Sequence, residues 1–107
     1  MYPFDVVGLR PLMERSEGSR NITVSVIDGP VWLDHPAFSD QHIREIQGAS
    51  GATCQNLSSV ACTHGTLVIG ILAAKRGSDA PAICPGCSFL LRPIFPQYTR
   101  ADDGQRA

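Results

Sequence analysis

Cys62-Thr63-His64-Gly65-Thr66-Leu67-Val68-Ile69-Gly70-Ile71-Leu72 sets one histidine at the head of an apolar run, with a Gly-Thr pair directly after it. Leu67, Val68, Ile71 and Leu72 recur at the i, i+3, i+4 spacing of a helix that faces a core. The spacing predicts a helix over 64–75, with Thr63 as its N-cap. Lys75 and Arg76 would complement the negative end of its dipole and Gly77 would close it. Gly70 costs about 1 kcal/mol relative to alanine in a helix interior, which a close packing contact at that position would offset.

Upstream, Asn21 to Ile27 (NITVSVI) reads as a strand rich in β-branched residues. It is apolar on both faces, the pattern of a strand inside a parallel sheet. Asp28-Gly29-Pro30 ends it with a strong turn signal. Asp28 therefore stands at the carboxyl end of a parallel strand, where open α/β folds place their sites. Downstream, Ser88 to Phe95 (SFLLRPIF) predicts a second strand, with Pro93 marking its end or an irregularity. Between them, 31–42 reads as irregular surface with a turn at Asp34-His35-Pro36, Ile43 to Ala49 as a short strand, Gly48 to Ser59 as a loop and 78–87 as a connection. The order strand, loop, helix, strand predicts an α/β fold with a parallel sheet and a right-handed βαβ crossover. Residues 1–20 form a lead-in that turns to a polar loop from Glu14 to Arg20. Residues 21–96 form the body, and 97–107 a polar, frayed tail.

The 107 residues suit one domain, and a 43% hydrophobic share is enough for a core. A net charge of -1 gives no electrostatic footprint for nucleic acid and no polybasic membrane anchor. No run approaches the roughly 18 apolar residues of a membrane helix. Met1-Tyr2-Pro3-Phe4-Asp5 lacks the basic and apolar regions of a signal peptide, so a cytoplasmic setting is the expectation. In that setting four cysteines do not read as a disulfide framework.

A serine hydroxyl needs a base within hydrogen-bond reach, and the base needs an orienting carboxylate. Histidine suits the task because its ordinary pKa lies near neutrality. In the first turn of a helix the dipole disfavours the imidazolium, which makes an anionic partner useful. Asp28 could be that anion if its strand lies beside the helix. Taken singly, His64 is more commonly a cap or surface residue and Asp28 a turn former. Their order and their placement on these elements favour the pair.

Val24-Ser25-Val26-Ile27-Asp28-Gly29-Pro30 resembles the aspartate motif of subtilisin-like serine proteases, and His64 to Ala74 resembles their histidine motif. Ala82 to Leu91 is similar to the segment that follows the helix in that family. The Asp, His, Ser chain order is also the family's. The resemblance implies a partial three-layer subtilisin-like fold and peptide-bond hydrolysis on a peptide or protein substrate. It makes Asp28 and His64 two members of a catalytic triad, with no cofactor or metal. Ile27 to Val31 with Asp34-His35-Pro36, Leu12 to Arg15 and Pro85-Gly86-Cys87 are most similar to the proteases that process cyanobactin-type ribosomal peptides. The departure lies in the nucleophile, which the family carries in a Gly-Thr-Ser motif later than any residue here. The family's oxyanion-hole asparagine also comes later; Asn21 and Asn56 both precede His64 and neither matches. The expectation is thus the N-terminal part of a catalytic domain, inactive alone, whose partner would be the missing C-terminal part. The alternative is a catalytically silent interaction module or a gene fragment.

The cysteines offer two rival readings. Cys62, His64, Cys84 and Cys87 could form a Cys₃His zinc set. Zinc deaminases share this spacing, but Thr66 stands where their glutamate is required and Ile83 where their proline is. Cys84-x-x-Cys87 also has the spacing of a thioredoxin-like pair, but it precedes a strand where that motif opens a helix. The simpler reading is a pair of buried or loop thiols.

Overall fold

The structure, a computed structural model, describes residues 3–46, 54–95 and 97. Two short helices lead in, α1 (Pro3–Val6) and α2 (Arg10–Arg15), followed by strand β1 (Thr23–Asp28). A 3₁₀ turn at Pro36–Phe38, strand β2 (Ile43–Glu45), helix α3 (Val60–Ala73) and strand β3 (Ser88–Pro93) complete the order. The lead-in thus holds two helical segments where no period was legible. Arg10-Pro11 explains the start of α2, since proline is tolerated in a first turn, where its missing N–H is not needed.

The sheet runs β1-β3-β2, with both pairings parallel. In register, Val24 lies beside Phe89, which lies beside Ile43, and Val26 lies beside Leu91. These side chains share the face that packs under α3, and Ile69 and Ala73 of the helix complete the core with Phe38 and Val31. Asp28 pairs with Pro93 on the same face, which directs its carboxylate toward the helix. The other face carries Thr23, Ser25 and Ile27, and Ile27 is 67% exposed. The expectation of an interior strand is therefore corrected. Among the described residues β1 is an edge strand covered on one face.

Helix α3 begins a turn earlier than the hydrophobic spacing implied. Ser59 is the N-cap, its Oγ accepting from the Cys62 amide, and Thr63 lies inside the helix, donating to the Ser59 carbonyl at 3.0 Å. The buried stripe is Cys62, Gly65, Ile69 and Ala73, not the expected Leu67, Val68, Ile71 and Leu72. Val68 and Leu72 are partly buried, whereas Leu67 and Ile71 are 63% and 43% exposed. A run apolar at nearly every position carries no strong periodic signal, so two stripes fit it equally and the glycine at 65 decides between them. The helix ends at Ala73 with Ala74 as C-cap, and Gly77 does not close it. Arg76 instead donates to the carbonyls of Met13, Ser16, Ala82 and Ile83, tying the exit of α2 to the connection that leads into β3. No helix among the described residues is long and apolar enough to cross a membrane. Of the strand expected over 43–49, the part at 47–49 lies outside the described residues, as does the tail expected over 97–107 apart from Gln97.

Candidate active site

Gly29 and Gly65 fix how close helix and strand come. A Cβ on Gly29 would stand 2.2 Å from the Ala61 carbonyl oxygen. One on Gly65 would stand 2.4 Å from the carbonyl oxygens of both Gly29 and Pro30. Only hydrogen fits at either place, so the backbone of α3 rests directly on the Gly29-Pro30 turn. Thr66 adds a clasp, its Oγ1 accepting from the Trp32 amide at 2.9 Å. Gly70, where a close contact was expected, faces open space. The tight approach belongs to the glycine beside the histidine.

This packing brings His64 Nδ1 to 2.8 Å from Asp28 Oδ1. The same oxygen accepts from the Gly29 amide at 2.5 Å, and the Asp28 carbonyl accepts from the Ile94 amide at 2.9 Å. The aspartate is held from two directions and is 18% exposed, while the histidine side chain is 64% exposed. In the neutral ring, donation from Nδ1 to a carboxylate, which when ionised only accepts, leaves the lone pair on Nε2. That is the tautomer a general base requires. His64 is the fifth residue of α3, not a first-turn residue as expected. The dipole field, which fades beyond the first turn, is therefore a minor influence on it.

The cysteines divide differently from the zinc reading. Cys54 and Cys62 form a disulfide with Cα atoms 5.5 Å apart, contrary to the expectation of no disulfides. Cys62 is thereby removed from the zinc set and His64 is engaged by Asp28. No cluster of three or more His, Cys, Asp or Glu that could hold a metal occurs among the described residues. The disulfide is anchored at the first turn of α3, and the Gln97 side-chain oxygen accepts from the Gln55 and Asn56 amides beside it. Sequence reasoning missed this clamp. The eight-residue separation of Cys54 and Cys62 does not by itself mark them as a pair. Among the described residues no hydroxyl bonds to Nε2, and Ser59, the nearest serine to His64 in sequence, is buried in its capping role.

No protein-family model and no curated protein matches the sequence. Solved structures do. Over 73% of its length the chain matches a serine-to-alanine mutant of the protease domain of PatA, at 32% identity and a TM-score of 0.69. It matches the prenylagaramide maturation protease PagA over 86%, at 29% identity and a TM-score of 0.68. The PatG macrocyclase domain aligns over 87% with a TM-score of 0.61, but at 16% identity it bears on the fold alone. The architecture is thus that of a subtilisin-like protease domain, in part. Within that class, the solved structures it resembles are cyanobactin maturation proteases, of which the chain spans 28% of the PatA domain and 30% of PagA.

Proposed function

We propose that the chain is the Asp- and His-bearing portion of a subtilisin-like serine endopeptidase acting on ribosomal precursor peptides. The observation that carries this reading is the 2.8 Å Asp28–His64 bond at the carboxyl end of β1, on a histidine side chain that is 64% exposed. Asp28 holds the productive tautomer and stabilises the imidazolium that forms. His64 takes the proton from an attacking serine and returns it to the leaving amine. The serine and the oxyanion donors come from a second segment that packs against this one. The PatG macrocyclase has been solved with a bound peptide, and peptide is the substrate class proposed here.

Reconstitution tests this reading. The chain is mixed with a Gly-Thr-Ser-bearing C-terminal fragment of a cyanobactin maturation protease domain. Fluorophosphonate labelling and precursor-peptide cleavage are then followed. Both are expected only in the mixture, and His64→Ala should lower cleavage by about 10⁴-fold or more. Labelling of the chain alone would contradict the missing nucleophile. A silent mixture that nonetheless forms a complex would favour the second reading, a binding module, which the absence of a hydroxyl partner for His64 among the described residues also supports.

A further inference from the structure

Cys84-Pro85-Gly86-Cys87 is absorbed neither by the Asp28–His64 pair nor by the Cys54–Cys62 disulfide. The four residues form one turn, with the Cys87 amide donating to the Cys84 carbonyl at 3.1 Å and proline at its second position. Both cysteines are free, and they lie side by side under Gly18, where a Cβ would stand 2.5 Å from Cys87 Sγ and 3.3 Å from Cys84 Cβ. The turn is fastened on two sides. The Cys84 amide donates to the Leu72 carbonyl near the end of α3, and the Gly86 amide donates to the Glu17 carbonyl. The sulfurs are not equivalent. Gly18, at φ +93°, lies over the buried Cys87. Cys84 is half-buried.

We propose that Cys84 and Cys87 form a redox site that closes to an intramolecular disulfide by exchange with low-molecular-weight disulfides, separately from Cys54–Cys62. The partly accessible Cys84 attacks as thiolate, forming a mixed disulfide and expelling one small thiol. Cys87, held in the same turn, attacks the Cys84 sulfur as thiolate and expels the second. The protein loses two protons and two electrons, and the small disulfide is reduced to two thiols. Burial, and then the neighbouring Cys87, raise the pKa of Cys84, while the Arg76 charge opposes them. The protonated thiol is thus the dominant form of Cys84, which exchanges through a minor thiolate population. Closure would staple a turn that already joins the end of α3, the exit of α2 and the start of β3.

The test uses the full chain and oxidised glutathione. After incubation, free thiols are capped with N-ethylmaleimide and the protein is digested with trypsin under non-reducing conditions. Trypsin places the two cysteine pairs in different peptides, 45–75 and 77–100, because the Arg92-Pro93 bond resists cleavage. Peptide 77–100 is expected to lose both maleimide additions and about 2 Da of mass. Cys87→Ser should instead accumulate glutathione on Cys84. Two capped thiols in peptide 77–100 after full exposure would overturn the proposal. So would a stable glutathione adduct on the unaltered chain, or a cross-link between the two peptides. The unaltered chain carries the primary readout, so the result does not depend on the variant folding.

Discussion

The two sides of α3 are built from similar residues and meet different surroundings. On one side Cys62, Gly65, Ile69 and Ala73 are buried, and the helix backbone touches the Gly29-Pro30 turn with no side chain between. On the other side Leu67, Gly70 and Ile71 line an open, almost wholly apolar cavity of about 500 Å³ with Phe4, Phe38 and Pro81. One side fixes the Asp28–His64 geometry. The other has the composition of a core without the packing of one. Hydrophobic sequence reports where burial is intended, whereas burial itself depends on what else is present. A subtilisin-like domain more than twice the length of this chain would have the material to cover it.

The strongest way to break this contrast is to add one methyl on the tight side. Gly65→Ala places a Cβ 2.4 Å from two backbone carbonyl oxygens that no rotamer change can relieve. Overpacking against backbone costs about 3 kcal/mol or more, so the urea midpoint should collapse and the His64–Asp28 contact with it. An unchanged midpoint would mean that the close approach is not what positions the site. A smaller loss should follow from opening the clamp at the helix head. Cys54→Ser with Cys62→Ser removes a short covalent loop, and chain-entropy arguments put the loss at about 2–3 kcal/mol. Differential scanning calorimetry would measure it. A loss confined to loop proteolysis, with no change in the midpoint, would show that the clamp orders only residues 54–62.

How much of this was legible in the sequence follows the same division. The Asp28–His64 contact was signalled by a strand ending in Asp-Gly-Pro and an apolar run headed by His-Gly-Thr, although His64 lies inside the helix and not at its start. The parallel pairing of β1 and β3 was legible from their composition. The stripe of α3 that faces the sheet was not. With apolar residues on most sides, periodicity cannot choose a face, and backbone contact at Gly65 overrides side-chain preference. The wrong glycine was assigned the packing role for the same reason. A mid-helix position suggests a cost to be offset, but only three-dimensional proximity shows that position 65 is crowded and position 70 is not. The Cys54–Cys62 bond was illegible because its justification is geometric, with one partner in a loop that the sequence leaves without period.

Gly70 gives the sharpest contrast because it is the same residue type on the same helix. A Cβ there would meet nothing within 4 Å. Gly70→Ala should therefore stabilise the isolated chain by about 1 kcal/mol through helix propensity alone, opposite in sign to Gly65→Ala. If a second segment packs on this side, the sign should reverse in the complex, since the methyl would intrude on a filled surface. Leu67→Gln, the smallest expected effect, completes the comparison. At 63% exposure it should move the urea midpoint by no more than about 0.5 kcal/mol in the chain alone. In a reconstituted mixture with a C-terminal protease fragment it should weaken association several-fold, because a buried polar side chain would replace an apolar one. Titration calorimetry on the two proteins separates the cases. Equal affinities for the unaltered chain and the Leu67→Gln variant would show that the apolar side of α3 is not where the second segment packs. The exposed leucine would then be a surface residue of no further consequence.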